Sequence, residues 1–284
     1  MSLLRTNVIF AIILPSTFAA IAQSAPPAEP PNNLVREVVY NELHDHQHHG
    51  YWRYRIQRRT SGGTATEEQV ETADGPVSWI TAGNGEPLSE SARQQQQARL
   101  DRLLTSPQEQ ARLLRDYNKD EERIGRIVAM LPDAFLYTYD TCENGSVRLR
   151  FRPNPAYPSH SIESRIFHTM SGVLTVDLRY KRLAALQGHI DQNIDFGFGI
   201  LGRIYKGGWF KLDRVRVSPT DWKTDQLEVH LNIRALLVTS FARETSETRG
   251  EFEPVPYGMS AAQGVALLES NQTASIPALA ASPQ

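Results

Sequence analysis

The feature that most constrains the fold is a long stretch of alternating apolar and polar residues, Ser171–Glu253. Its clearest segments are Leu174–Tyr180 and Leu227–Ile233, in which every second residue is apolar and the residues between them are polar. Because successive side chains of a strand point to opposite faces, this spacing predicts strands with one apolar and one solvated face. Glycines and short polar breaks separate the segments without any stretch of helical period, so we expect an antiparallel meander.

Further strands are predicted in the first half of the chain. Ser61–Thr64 has the composition of a hairpin turn, and Asn144-Gly145 is a strong signal for a two-residue turn. The predicted strands are Trp52–Ile56, a strand that follows Ser61–Thr64, Val77–Thr81, Phe135–Tyr139 and Val147–Phe151.

A first helix is predicted at the start of the domain and a short one before the meander. Asn32 or Asn33 can cap the first, which has an apolar stripe and runs to about Leu43. The short helix lies within Ile162–Met170. Both are amphipathic in pattern, so each can cover one face of a sheet.

A longer helical block occupies Ser89–Leu131. Within it, Ser106–Glu109 combines a capping box with Pro107 at the first helical position, which predicts a helix start. Asn118 is predicted to begin another helix, which Pro132 ends.

This order of elements predicts an α+β fold, a large curved antiparallel sheet (a half-barrel) with helices covering its concave side. We expect a single domain over residues 32–256, preceded by a flexible lead-in over residues 23–31. Residues 257–284 are rich in Ala, Ser and Pro and are predicted to be mostly disordered, with one helical turn near Val265–Leu268.

Composition excludes one class of function. The net charge of −2 argues against a nucleic-acid-binding protein, which usually carries a basic excess. The hydrophobic fraction of 40% and the charged fraction of 22% are typical of a soluble globular protein.

The first residues have the pattern of a signal peptide. Arg5 precedes an apolar core, and Ala20-Ile21-Ala22 fits the small-x-small cleavage pattern, so residues 1–22 are predicted to be removed. Cleavage after Ser24 is the alternative. The apolar core is interrupted by Pro15 and falls short of the roughly 20 residues that a membrane span needs. We therefore expect an exported, periplasmic protein, whose single Cys142 can form no intrachain disulfide.

Three short segments carry a family resemblance, together with the predicted export and the final meander. They are Met170–Asp177 with Arg182-Leu183 after it, Gly202–Gly208 and Asp221–Asp225. The chain resembles, over about residues 32–253, the LolA-like lipoprotein carriers of the bacterial periplasm. That superfamily also includes mycobacterial lipid-handling lipoproteins and the sensing domain of a sigma-factor regulator. The resemblance implies an incomplete barrel whose mouth is plugged by helices and which encloses an apolar cavity for acyl chains.

The apolar faces of the predicted strands have two interpretations. Their side chains form an ordinary core, or in an open half-barrel they line a ligand cavity. Under the second interpretation the candidate ligand-binding residues are Tyr137, Phe151, Leu174, Val176, Leu178, Val229 and Leu231.

Gly197–Gly202 has the G-x-G-x-x-G spacing of a dinucleotide-binding loop. That motif binds phosphate when a strand leads in and a helix leads out. Here a strand-like segment and a glycine turn follow, so no helix N-terminus is expected to hold a pyrophosphate. The glycines are better interpreted as the bend of a curved sheet, and no cofactor is predicted.

A histidine cluster, His44–His49, could offer imidazoles to zinc, with Asp45 as a further ligand. The simpler interpretation is a solvated loop between helix and strand, and no metal site is predicted. Neither a G-x-S-x-G elbow nor an H-E-x-x-H helix occurs in the sequence, and no catalytic residue is predicted.

The sequence thus predicts a periplasmic, non-enzymatic binder or carrier of lipid or lipoprotein acyl chains. We expect it to be monomeric, to meet membrane-associated proteins and to bind no nucleic acid. One alternative is a periplasmic protein-interaction or envelope-sensing module without a small ligand. A metal-dependent enzyme that uses the His44–His49 cluster is a third hypothesis.

Overall fold

A computed structural model describes residues 25–44, 50–196, 202–235 and 239–274. The helices in these residues are α1 (Pro31–His44), α2 (Glu90–Thr105), α3 (Pro107–Ala134), α4 (Ile162–Phe167) and α5 (Ala261–Ala274). The strands of the first half are β1 (Tyr51–Thr60), β2 (Gly63–Val70), β3 (Val77–Gly83), β4 (Glu86–Pro87), β5 (Phe135–Glu143) and β6 (Ser146–Pro153). Those of the second half are β7 (Met170–Asp177), β8 (Arg182–Ile190), β9 (Ile194–Phe196), β10 (Gly202–Ile204), β11 (Trp209–Arg216), β12 (Trp222–Ala235) and β13 (Thr239–Val255).

All of these strands join one antiparallel sheet. Its order is β4-β3-β2-β1-β13-β12-β11-β8-β7-β6-β5, and β10 pairs with both β12 and β9. The sheet is not closed, since β4 and β5 lie at its two ends. The predicted α+β fold with a large antiparallel sheet is confirmed.

Local turn chemistry explains several of the hairpins. Asn144 and Gly145 both adopt positive φ (52° and 78°), which is the conformation of a type I′ turn between β5 and β6. Of the predicted turn at Ser61–Thr64, residues Ser61 and Gly62 connect β1 to β2, and Gly63 and Thr64 are the first residues of β2. β1 also pairs along its length with β13, so the first hairpin of the chain is attached to its last strand.

The main core lies between one face of the sheet and helices α1 and α3. Leu34, Val35 and Val38 of α1 are buried, and so are the aliphatic residues of β6 and β7 beneath them. Phe135 at the start of β5 packs edge-on against Phe151, with ring centroids 4.8 Å apart. Burying a side chain of this size contributes roughly 1.5–3 kcal/mol, so α1 and α3 are held mainly by apolar contact.

The prediction that a new helix begins at Asn118 and that Pro132 ends it is wrong. α3 runs unbroken from Pro107 to Ala134 and contains Pro132 in its last turn. Proline lacks the N–H that would bond the carbonyl of residue 128, but near a helix end few later hydrogen bonds depend on that position. Asn118 continues the helix because α3 has an amphipathic face on both sides of it.

The carbonyl groups at the C-terminal end of α3, which have no partner within the helix, are bonded by side chains from elsewhere. Tyr137 donates its hydroxyl proton to the carbonyl of residue 131 at 2.9 Å. Asn32 Nδ2 donates to the carbonyl of Pro132 at 3.0 Å, and Asn154 Nδ2 donates to that of residue 133 at 2.8 Å. This end of α3 is therefore fixed to α1 and to the end of β6.

The prediction of a mostly disordered tail is wrong for residues 261–274, which form α5. Val265 and Leu268 are fully buried against Val70 and Val77 of the sheet. Gln69 lies next to Val70 on β2 and lines a cavity under α1 and α3, so alternation places α5 on the opposite face of this part of the sheet. An Ala-rich composition hides a short apolar stripe at helical spacing.

Two helical glycines differ in the space around them. A Cβ at Gly125 of α3 would lie 3.8 Å from Leu43 Cδ2, an ordinary contact. We expect Gly125→Ala to raise the free energy of unfolding by about 0.5–1 kcal/mol, because it removes the entropic cost of a helical glycine. Urea denaturation measures the change.

Gly264 of α5 provides the contrasting case. A Cβ there would lie 2.7 Å from Thr72 Cγ2 and 2.9 Å from Val77 Cγ2, and both β-branched side chains are stiff. We expect Gly264→Ala to lower the free energy of unfolding by about 1–2 kcal/mol, since overpacking outweighs the helical gain. A stabilising Gly264→Ala would contradict the packing of α5 on β2 and β3.

Candidate ligand-binding site

A cavity in the described part of the chain lies between helices α1 and α3 and the middle of the sheet. Its volume is about 640 Å³, within the range of about 300–1,000 Å³ that is common for small-molecule sites. The floor is formed by residues of β1, β2, β7, β8, β11, β12 and β13. The cavity is therefore built by residues from the whole length of the domain.

Helix α3 forms a roof of the cavity with one of its faces. Its lining residues recur at intervals of three and four, which is the spacing of a single helical face. They are Tyr117, Glu121, Ile124, Gly125, Val128 and Leu131. At 1.5 Å per residue, this face borders the cavity for about 21 Å.

One end of the cavity has an apolar wall. Val128 and Leu131 of α3 face Val35 and Val38 of α1, and Leu174 of β7 lies on the floor. Asn32 at the start of α1 binds the end of α3, whereas Leu43 near the end of α1 lies beside Gly125. The two roof helices therefore run antiparallel, and the apolar wall lies between the N-terminal half of α1 and the C-terminal half of α3.

Glu42 connects the roof to the floor. Arg182 of β8 donates to both Glu42 oxygens, each at 3.0 Å, and Arg214 of β11 donates to Oε2 at 2.5 Å. The backbone N–H of Leu183 also donates to Glu42 at 2.9 Å. Burial alone would raise the pKa of Glu42, but Arg214 and Arg182 together hold that pKa below its usual value. The ionised carboxylate thus fixes the C-terminal end of α1 to two strands.

The other end of the cavity is polar. Glu71 accepts from Lys223 Nζ at 2.7 Å and from the backbone N–H of Trp52 at 3.1 Å. Asp221 is buried and accepts from the backbone N–H of Gly50 at 2.7 Å and from the Ser218 hydroxyl at 2.5 Å. Burial would raise the pKa of Asp221, but these hydrogen bonds lower it overall. They also connect the β11–β12 turn to the start of β1.

Three tyrosines line the same polar end, Tyr51, Tyr54 and Tyr117. Tyr54 is buried, and its hydroxyl accepts from Gln69 Nε2 at 2.5 Å. Tyr51 stacks on Tyr257 with ring centroids 5.4 Å apart. Burial and the carboxylates of Glu121 and Glu71 raise the pKa of Tyr117 to about 12.

The residues predicted from the sequence to bind a ligand occupy different places. Leu174 lines the cavity, while Tyr137, Phe151 and Val176 are buried in the main core. Leu178 and Leu231 are half-buried against that core. Val229 borders a separate, shallow pocket of about 270 Å³. Ligand binding by these residues stays a prediction.

The sequence patterns did not predict the polar wall of the cavity. Glu42 and Arg214 are separated by 172 positions, and Glu71 and Lys223 by 152. Single charged residues at the ends of predicted strands are also typical of solvated positions, so no local pattern marks them. The one available signal was the presence of Glu42 beside the apolar stripe of the first helix.

Several sequence-based predictions fall on residues outside those that the structure describes. They are the signal peptide over residues 1–22, most of the His44–His49 cluster, most of Gly197–Gly202 and the tail from residue 275. Within the described ranges, no group of three or more His, Cys, Asp or Glu residues is placed to hold a metal ion. No helix of those ranges is both long and apolar enough to cross a bilayer.

Replacement of Glu42 tests its role in holding α1. We expect Glu42→Gln to lower the free energy of unfolding at pH 7 by about 3 kcal/mol, because it leaves the buried Arg182 and the largely buried Arg214 without their carboxylate. Glu37→Gln is the matched control, since Glu37 is a half-exposed residue of the same helix that lies 3.5 Å from Lys181, and it should cost no more than about 1 kcal/mol.

The same interaction predicts a dependence on pH. Because the pKa of Glu42 is lowered in the folded state, the unfolded state binds its proton more readily, and stability falls as the pH drops below the usual glutamate value. The stability difference between the wild type and Glu42→Gln should therefore be full above about pH 5 and shrink as the pH falls through the lowered pKa. Equal differences at pH 7 and pH 3 would contradict the ionised state of Glu42.

Comparison with known proteins adds no relative. No protein-family model, no curated protein and no solved structure matches the chain, and the LolA-like resemblance stays a prediction.

Proposed function

We propose that the protein is a periplasmic, non-enzymatic binder or carrier of lipid or lipoprotein acyl chains. The observation that carries the proposal is the cavity of about 640 Å³ between α1, α3 and the sheet, with its apolar wall. A chain binder needs an elongated apolar space and no set of reacting groups. A filled core in this place would instead have favoured the alternative function, a protein-interaction module without a small ligand.

The dimensions of the cavity suit an acyl chain. An extended chain advances about 1.2 Å per bond, judged from the 3.3–3.6 Å that three backbone bonds span. The roughly 21 Å of α3 that border the cavity therefore match about 17 bonds. Each buried methylene contributes about 0.8 kcal/mol, so about 10 methylenes give a gross gain of about 8 kcal/mol before the costs of association are subtracted.

Side-chain contacts hold one part of the roof in place. α1 is held by the ion pairs of Glu42, and the C-terminal end of α3 by side-chain hydrogen bonds. Ile124 of α3 lines the cavity and is nevertheless 55% exposed, so the cavity meets solvent beside the middle of this helix. We expect a chain to enter and leave there, by displacement of the N-terminal part of α3.

The predicted signal peptide over residues 1–22 is the basis for proposing that the carrier is exported to the periplasm. Lipids and lipoproteins that cross the periplasm must shield their chains from water, and an exported protein with an apolar cavity can provide that shield. This supports a periplasmic role.

Purification from the native periplasm in the absence of detergent tests the proposal. We expect organic extraction followed by mass spectrometry to find acyl chains in near-stoichiometric amount. Protein that is folded and carries no lipid, and that takes up no added fatty acid, would contradict the proposal.

A larger side chain that occupies part of the cavity should weaken ligand binding. Val128 lines the cavity, whereas Ala129 on the same helix is exposed. We expect Val128→Phe to weaken the binding of a fatty acid at least roughly tenfold, because the added ring occupies volume that the chain needs. Ala129→Phe is the matched control and should bind as the wild type does, as measured by fluorescence competition.

A further inference from the structure

The cavity has two chemically different ends, and this asymmetry bears on the kind of ligand. The apolar wall lies under the C-terminal half of α3, from Ile124 to Leu131. The wall under Tyr117 and Glu121 is polar and aromatic. A pure hydrocarbon gains nothing from the polar wall, because the polar groups of that wall would have to give up hydration without receiving a hydrogen bond.

We propose that the tyrosine-lined end of the cavity binds the positively charged ammonium head group of a single-chain amphiphile whose chain occupies the apolar end. This inference rests on the proposed function and adds the class of the head group. The head-group subsite consists of Tyr51, Tyr54, Tyr117, Glu71 and Glu121.

The aromatic rings are the first part of the argument. Alkylammonium groups bind to the faces of aromatic rings, and cages of several such rings recognise quaternary ammonium ligands. Tyr51 and Tyr54 come from β1, and Tyr117 comes from α3 above them. The rings therefore border this end of the cavity on both its floor and its roof.

The charges of the polar wall point in the same direction. Besides Glu71 and Glu121, Asp221 borders this end, and the Arg249 guanidinium lies 5.9 Å from the centroid of the Tyr54 ring. Arg249 is paired with the buried Glu247, and Glu71 with Lys223. For Tyr51 and Tyr117, burial together with surrounding carboxylates raises the pKa of the phenol. Burial penalises any charge at this end, whereas the surrounding carboxylates penalise an anion and favour a cation.

An anionic head group finds no comparable site on the cavity wall. Its guanidinium groups are already engaged with carboxylates, Arg182 and Arg214 with Glu42 and Arg249 with Glu247. Binding a carboxylate or phosphate at Arg182 or Arg214 would require their largely buried pairs with Glu42 to separate, which is costly for both partners.

Two amphiphiles with the same chain test the inference. Dodecyltrimethylammonium and dodecanoate are titrated into the full-length mature protein below their micellar concentrations at pH 8, with calorimetry as the readout. We expect the ammonium compound to bind roughly tenfold more tightly, as several cation–π contacts predict. Equal affinities, or tighter binding of dodecanoate, would overturn the head-group assignment and leave the proposed acyl-chain function standing. If neither compound binds, the proposed function fails and this inference fails with it.

Single substitutions test whether the head-group subsite is responsible for the preference for the ammonium compound. Tyr117→Leu should reduce the affinity for dodecyltrimethylammonium roughly fivefold and change that for dodecanoate little, because it removes one ring and keeps an apolar side chain. Tyr40→Leu is the matched control, since Tyr40 lies on α1 with 60% exposure and does not line the cavity. Should Tyr117→Leu fail to fold, Glu121→Gln tests the same subsite and should weaken only ammonium binding. If a folded Tyr117→Leu or Glu121→Gln variant still prefers the ammonium compound as strongly as the wild type does, the head-group assignment is overturned.

Discussion

The bonds of Glu42 to Arg182 and Arg214 determine where the roof of this protein lies. α1 packs on the main core through aliphatic side chains, whose individual contacts are weak and non-directional. The hydrogen bonds that the Glu42 carboxylate accepts are directional as well as strong, because two guanidinium groups and a backbone N–H converge on it. It therefore fixes the C-terminal end of α1 above β8 and β11. α3 packs on α1, so the position of the cavity depends on the same interaction.

The cavity itself reflects how the open sheet is covered. α1 and α3 lie over its middle without filling all of the space above it. Above β5, β6 and β7 the face is covered by a close-packed core, and above β1 and β2 it is bordered by polar residues. The space between these two regions stays partly unfilled under α3. At the far end of the sheet, α5 covers the opposite face and stabilises β2 and β3 from behind.

Much of this architecture could be predicted from the sequence, for reasons that particular residues illustrate. Alternation in Leu174–Tyr180 and Leu227–Ile233 belongs to strands because the period of two is intrinsic to a pleated backbone. Asn144-Gly145 specifies a turn because both residues tolerate positive φ. Only one turn of α5 was predicted, because Val265 and Leu268 lie in an Ala-rich segment whose helix is stabilised by tertiary packing. The polar wall could not be predicted, since Glu42 meets Arg214, and Glu71 meets Lys223, only after distant parts of the chain have packed together.

The central claim is that an acyl chain lies under α1 and α3. Methyl NMR spectra recorded with a spin-labelled fatty acid test it most directly, because the label broadens only the signals of nearby methyl groups. The account predicts strong broadening at Val38, Val128 and Leu183, which line the cavity, and sharp signals at Val265 and Leu268 beneath α5. No broadening at the three cavity residues, or broadening confined to the α5 side of the sheet, would contradict it.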